Sequence, residues 1–235
     1  MEEQDALKHS LQALAGLDNY NRWIYDNISR FLGSNILEIG CGIGNITDYF
    51  ITPGKKITGI DISDEFTAIA AKKYRDNPDV TIVTGDALNS SGPLPSGSFD
   101  TVVLLNVLEH IKEEKAAMKL IHNMLVTGGR AIILVPAMRF AFGALDKNLG
   151  HHKRYERSDM TRVFKEEGFE TEKIFYMNWP GAIGWAINSR LLKKKFIPEG
   201  QAVLFNNLFV PFLKITENYI APPFGQSLIA VARKR

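Results

Sequence analysis

The chain has 235 residues, enough for one large domain or a domain with a substantial insertion. Its 45% hydrophobic content is ordinary for a globular protein, and a formal net charge of +2 gives no overall basic field of the kind nucleic-acid binders carry. A single cysteine, Cys41, excludes a disulfide within the chain, and neither a signal peptide at the acidic start Met1-Glu2-Glu3-Gln4-Asp5 nor an apolar run of about 18 residues is evident, so a soluble cytoplasmic protein is expected.

Residues 3–16 can form a polar helix ending near Gly16. Asp18 offers an N-cap for a second helix, Tyr20–Phe31, stopped by Gly33, with Tyr20, Trp23, Ile24, Ile28 and Phe31 at helical spacing. Tyr20 and Trp23 fit either core packing or a lid over a ligand. Ile36, Leu37 and Ile39 read as a strand covered on both faces, leading into Gly40-Cys41-Gly42-Ile43-Gly44 and then a helix through Thr47, Tyr49 and Phe50. Such a turn suits a nucleoside-type ligand: glycines admit close approach, and backbone N–H groups can point outward.

Further strands are expected at Lys56–Asp61, Val80–Thr84, Phe99–Leu105 and Ala131–Val135, alternating with helices from Ser63 to Arg75 and from Glu113 to Leu125, the latter stopped by Gly128-Gly129. Residues 137–157 read as a loop crowded with His151, His152, Lys153, Arg154 and Tyr155. A helix from Ser158 to Glu167, a strand Thr171–Asn178 and a last strand Ser227–Arg233 complete the pattern. The alternation argues for an α/β fold, a Rossmann-like doubly wound sheet of about seven strands whose last strand is antiparallel. One domain is expected, with N-terminal helices over 1–33, a core over 34–178, a cap insertion over 179–225 and a last strand over 226–235.

The glycine spacing separates two kinds of cofactor. A dinucleotide fingerprint places its third glycine where Asn45 stands. Glu38-x-Gly40-x-Gly42-x-Gly44 instead resembles motif I of the class I S-adenosylmethionine-dependent methyltransferases. Asp61, Gly85-Asp86-Ala87, Phe99-Asp100, Asn106-Val107-Leu108-Glu109-His110-Ile111 and Gly128-Gly129-Arg130 follow in that family's order. The resemblance implies S-adenosyl-L-methionine as cofactor, S-adenosyl-L-homocysteine as product, and no metal. It implies that Glu38, Gly40 and Gly42 border the methionyl part, with Cys41 a small residue of the turn. Asp61 would hold the ribose with Ile62 beside the adenine, Asp86 and Ala87 would meet the adenine, and Asn106 would lie near the sulfonium. If Tyr20 and Trp23 form a lid, they belong to the same set.

The acceptor side rests on fewer residues. Leu149-Gly150-His151-His152-Lys153-Arg154-Tyr155 and the segment Pro223–Arg233 resemble an uncharacterised bacterial branch of that family. Transfer to oxygen usually needs a base, and His151 is the first candidate, with His110 the second and Arg154 and Tyr155 binding the acceptor. A solvated basic loop is the alternative. A small-molecule acceptor and O-methylation are expected, no nucleic acid, and a monomer or homodimer. A protein or lipid-type acceptor and a non-catalytic cofactor-binding subunit are the other readings. In the cap, Trp179, Trp185, Phe205, Leu208, Phe209 and Phe212, with Arg190 and Lys193–Lys195, fit either a membrane-surface contact or, preferred, packing on the sheet or a dimer contact.

Overall fold

The computed structural model of the chain describes residues 17–89, 94–194 and 199–235. The expected helix over 3–16 and Lys195 lie outside the described residues. Seven strands form one sheet: β1 (Asn35–Ile39), β2 (Lys56–Asp61), β3 (Val80–Thr84), β4 (Phe99–Leu105), β5 (Leu125–Pro136), β6 (Phe169–Met177) and β7 (Ser227–Lys234). Their order is β3-β2-β1-β4-β5-β7-β6, with β1 to β5 parallel and β7 antiparallel to both neighbours.

The helices are α1 (Asp18–Ile28), α2 (Thr47–Phe50), α3 (Asp64–Tyr74), α4 (Glu114–Met124), α5 (Ala144–Asn148), α6 (Arg157–Glu166), α7 (Trp179–Ala186), α8 (Glu199–Leu204) and α9 (Val210–Tyr219). Strand side chains alternate between two cores, as a period of two requires. Leu37, Val102, Leu104, Ile133 and Val135 meet α4 and α6 on one face, through Met118, Ile121, Val163 and Phe164. Ile36, Val103, Ile132 and Leu134 meet the other face, where Trp23, Ile24 and Ile28 of α1, Phe50, and Val210 and Leu213 of α9 are buried.

Several local expectations change. Trp23 is 1% exposed and packs in that second core, which replaces the lid reading. Tyr20 is half-buried, edge-on to Trp23 at 6.2 Å, with its hydroxyl 3.4 Å from Ser227 Oγ; it too packs inward. Leu17, not Asp18, occupies the N-cap position of α1. The helix after the glycine turn is only four residues long. Gly128 and Gly129 do not follow a loop: α4 ends at Met124 and β5 starts at Leu125, running through both glycines, with Gly128 at a φ of 80° and a register shift opposite Phe99–Thr101.

Asp100 anchors the start of β1. Its Oδ2 accepts from Ser34 N and Asn35 N at 2.8 and 2.9 Å, and Gly33 N donates to Thr101 Oγ1 at 2.9 Å. A Cβ on Gly33 would run into the Asp100 carboxylate, so the glycine is required by close approach rather than by a helix stop.

The segment after β6 leaves and re-enters the sheet at one point. Gln226 N donates to Asn178 O at 2.9 Å, and Asn178 Nδ2 donates to Gln226 Oε1 at 2.9 Å. Glu217 near the end of α9 accepts from Asn178 N and Trp179 N at 3.0 and 3.2 Å, which caps α7 from the far end of the insertion. A five-residue π turn (Phe205–Phe209) joins α8 to α9 just before Pro211, whose missing N–H interrupts the regular ladder. No helix among the described residues is long and apolar enough to cross a membrane.

Asp100→Ala is expected to cost about 2 kcal/mol, because two amides at the start of β1 lose a charged acceptor. Gly33→Ala should cost a similar amount by displacing the same carboxylate. In urea unfolding the double variant should be no worse than the more harmful single one; simple additivity would mean that the two residues act separately.

Candidate functional site

The strand order reverses between β1 and β4, which is where an open parallel sheet leaves a crevice at its C-terminal ends. Gly40, Asp61, Asp86 and Asn106 all follow C-terminal strand ends there. The glycine turn is held in a conformation that side chains resist, with φ of 76°, 54° and 85° at Gly40, Gly42 and Gly44. A Cβ on Gly40 would strike Val107, and one on Gly44 the ring of Tyr74.

The amides of this turn do not all point outward as expected. Gly40 N and Cys41 N donate to Ile60 O at 2.7 and 3.1 Å, and Gly42 N donates to Asp61 Oδ2 at 2.9 Å. Asp61 Oδ1 accepts from Ser63 N at 2.9 Å. A carboxylate has about four acceptor positions, so Asp61 keeps capacity for two further donors. Gly85 N donates to Asp61 O at 2.9 Å, which draws the β3 end alongside. Asp86 is exposed and accepts from Leu88 N at 2.8 Å, Ala87 is buried, and Ile62 is 76% exposed beside Asp61. Asn106 is exposed with a φ of 56°, its N–H donating to Leu134 O at 2.8 Å. Asparagine tolerates that region better than most residues, and such strain commonly marks a functional position.

Glu38 lies beneath the turn, 3% exposed, and accepts from Thr47 Oγ1 at 2.5 Å. Burial pushes its carboxyl up to about 8; the Asp48 and Asp61 carboxylates add to the rise and the Thr47 hydrogen bond opposes it. Cys41 is buried and burial raises its thiol, which fits a small turn residue rather than a nucleophile.

A second polar cluster lies just beyond the β4 end. The turn Leu108–His110 brings His110 to the His151 ring, edge-on at 4.9 Å between ring centres. His152 N donates to Glu109 O at 2.8 Å and Tyr155 hydroxyl to Leu108 O at 3.3 Å, which fastens the 150–155 loop to that turn. The hub is Asp146 on α5, fully buried. Its Oδ1 lies 3.0 Å from His151 Nδ1 and accepts from Arg154 Nε at 2.7 Å; its Oδ2 accepts from Gly143 N at 3.0 Å and Trp185 Nε1 at 3.1 Å. Burial alone would raise the Asp146 carboxyl, but these donors hold it below its usual range. Burial, and then His151 beside it, push His110 down to about 4, so it is neutral near pH 7.

Arg154 and Tyr155 do not face an acceptor. Arg154 is 2% exposed, also donates to Ala137 O at 2.8 Å and stacks on Trp185 at 4.7 Å; Tyr155 is wholly buried in the core. Both support the loop that carries His151. Asp146 and Glu109 take places that no motif reading assigned. Glu109 sits inside the recognised stretch after β4, yet only the fold reveals that its carboxylate is enclosed. Asp146, five positions before His151, offered only its spacing as a signal.

The chain is similar to known methyltransferases in sequence and in fold. Residues 37–133 match a family described as a methyltransferase domain. An uncharacterised methyltransferase of Geobacillus sp. (strain WCH70) is 29% identical over 181 residues, 67% of this chain and 83% of that protein. A ubiquinone biosynthesis O-methyltransferase of Pseudomonas aeruginosa (strain UCBPP-PA14) is 27% identical over 114 residues, 47% of each chain, so less than half of that enzyme is spanned. The fold is shared with an S-adenosylmethionine-dependent methyltransferase structure from Thermotoga maritima, with a TM-score of 0.66 over 99% of this chain and 97% of that one at 17% identity.

Glu38 generates a pH dependence of stability. Its folded value of about 8 lies above the ordinary 4.5, so between these values the folded state holds more protons than the unfolded state. Stability contributed by the neutral acid is therefore present below about pH 4.5 and is lost as pH rises through about 8. Thermal melting of the cofactor-free protein should show a midpoint falling over that window, and Glu38→Gln should flatten part of the slope. An unchanged slope in the variant would place the titration elsewhere.

Proposed function

Because the chain carries a class I S-adenosylmethionine-dependent methyltransferase domain, we propose that it methylates an oxygen of a small-molecule acceptor. The cofactor's role and the reaction class follow from the domain; the acceptor atom is our inference. The observation that carries it is the imidazole pair just after Asn106, with His151 fixed by a buried carboxylate through Nδ1. That hydrogen bond leaves Nε2 to take a proton, the arrangement an oxygen nucleophile needs and an amine lone pair does not.

The residues present fit the cofactor. The turn at Gly40 has no room for a Cβ, and Asp61 retains acceptor capacity for two hydroxyls. When bound, S-adenosyl-L-methionine supplies an electrophilic methyl group on a sulfonium centre. Asp61 would hold the ribose, with Ile62, Asp86 and Ala87 around the adenine. Glu38, Gly40, Cys41 and Gly42 would border the methionyl part, Glu38 acting through the floor of the turn. Asn106 would line the reacting end, between the cofactor and the histidine pair. His151 would accept the acceptor's hydroxyl proton while His110, neutral at its side, keeps that edge of the site free of a competing positive charge. Positioning and exclusion of water supply the rest of the acceleration.

A second reading, a lipid-type acceptor met at a membrane surface, has its own support in the cap. Val210 and Leu213 are buried, but Leu204, Leu208, Phe212, Ile215 and Tyr219 recur three and four residues apart and are all exposed. Ile183, Ile187 and Leu191 form a second exposed stripe, with Arg190 beside Leu191 and Lys193 and Lys194 following it. The cap therefore packs on the sheet by one side only, so of the preferred expectation, sheet packing or a dimer contact, only the dimer contact remains for these stripes. Each Leu or Phe that enters an interface contributes about 1.5–3 kcal/mol, and the basic residues suit anionic headgroups.

Asp61→Ala should weaken S-adenosylmethionine binding at least 100-fold in calorimetry; unchanged affinity would remove the site assignment. His151→Ala should leave that affinity within about twofold. Supplied with a labelled donor and a metabolite extract, the wild type should yield a product whose new methyl group lies on oxygen by mass spectrometry, and His151→Ala far less of it. A methyl on nitrogen or carbon would overturn the proposed chemistry. For the second reading, the protein should float with anionic vesicles at low salt, and Leu208→Glu with Phe212→Glu should release it. Absence of flotation, with a dimer seen by light scattering that the same changes dissociate, would assign the stripes to a second copy of the chain.

A further inference from the structure

We propose that Glu109, His110 and His151 form a binding site for one divalent transition-metal ion beside the acceptor crevice. The inference rests on the oxygen-transfer reading and replaces one part of it: with His151 Nε2 on the ion, His151 is a ligand and not the base, and the cation would hold the acceptor hydroxyl and lower its pKa so that its proton passes to water.

Three features point to it. One ligand atom from each of the three residues lies within 4.8 Å of the others, with His151 Nε2 4.0 Å from Glu109 Oε1. Ligands at about 2.1 Å from a tetrahedral ion stand about 3.4 Å apart, so a side-chain shift of less than about 1 Å closes the set. Second, Glu109 is wholly buried, and neither of its carboxylate oxygens has a hydrogen-bond partner. Buried carboxylates are paired or bind metals, and an enclosed one with no partner is costly whether ionised or neutral. Third, the outer nitrogen of His151 is already assigned. His151 Nδ1 is bonded to Asp146, which leaves its Nε2 for an ion, and the His110 ring lies edge-on to it at 4.9 Å. Carboxylate or carbonyl partners of this kind orient metal-binding histidines and leave the second nitrogen for the ion. Asp146 is itself fixed by Arg154, Trp185 and Gly143.

Two imidazoles and one carboxylate on one side of an ion leave its remaining positions open, and the mixed nitrogen and oxygen set favours zinc, iron(II), cobalt or manganese over magnesium. Glu109 and His110 come from the turn after β4, while His151 comes from the loop beyond α5, so the site would also tie the two segments that flank the acceptor.

The test uses the full chain, freed of metal by a chelator and titrated with cobalt(II). A saturating visible absorption band at one equivalent is expected, displaced by zinc(II) and unaffected by excess magnesium. His151→Ala should weaken cobalt binding at least 100-fold and Asp146→Asn about 10-fold. Glu109→Gln should weaken it as His151→Ala does; if that variant fails to fold, His110→Gln serves. Calorimetry with S-adenosylmethionine accompanies each variant: affinity within about twofold of wild type shows that the cofactor site stands independently. No band in the wild type, or a band that survives in His151→Ala with full affinity, overturns the metal site while leaving the methyltransferase reading intact.

Discussion

Everything at the C-terminal ends of β1 and β2 depends on how the end of β2 closes the turn that follows β1. Ile60 O receives two amides of that turn and Asp61 receives a third, so the glycine loop is bent toward its neighbour strand before any ligand arrives. The cost of ordering a glycine-rich segment is thus borne by folding rather than by binding. This also explains why three glycines are needed for different reasons. Gly40 makes room for Val107, Gly44 makes room for Tyr74, and all three accept a positive φ. Tyr74 in turn donates to Gly44 O at 2.8 Å and Asp48 Oδ1 at 2.8 Å, so α3 braces the turn from behind.

The acceptor side follows a different logic. There the organiser is one buried carboxylate, Asp146, which gathers an imidazole, a guanidinium, an indole N–H and a backbone amide. Asp146, with four donors, is a satisfied buried charge; Glu109 has no hydrogen-bond partner on either oxygen, and burial pushes its carboxyl up to about 8, so it is mostly neutral near pH 7. The contrast between two neighbouring enclosed acids is the asymmetry on which the chemistry of this corner turns. Val107 links the corner to the donor turn, since its side chain fills the space that a Cβ on Gly40 would need.

The positions of β1 to β4 were legible in the sequence because each is a short apolar or β-branched run closed by Gly, Asp or Asn. β2, β3 and β4 fall on the residues that the pattern marks. The glycine spacing with Glu38, Asp61 and Asp86 pointed to the right cofactor class, because backbone geometry and strand-end acids leave a linear trace. Direction of burial leaves no such trace. Arg154 and Tyr155 look like surface binders in a basic loop, and only Asp146, Trp185 and the core draw them inward. Trp23 shows the same limit, since a large aromatic on an amphipathic helix suits a lid and a core equally well. The start of β5 was misplaced because a Gly-Gly pair signals a turn, whereas here it serves a register shift inside a strand. The cap was hardest to read: helical spacing identified its stripe but not that Leu208 of the π turn and Phe212 of α9 are exposed while Val210 and Leu213 face in.

The clip between Asn178 and Gln226 has a consequence for how such a protein can change. Because the cap departs and returns through two hydrogen bonds at a single point, its ends stay fixed whatever its interior contains. β6 and β7 would pair in the same register with a longer, shorter or differently sequenced excursion between them. The cap's interior can therefore vary while the register of β6 with β7, and the crevice at the other strand ends, stay as they are. Several contacts limit the freedom: Trp185 donates to Asp146, Ser189 accepts from Leu145 N, Asn206 accepts from Tyr20 N, and Val210 and Leu213 fill the second core, so a replacement must supply equivalents.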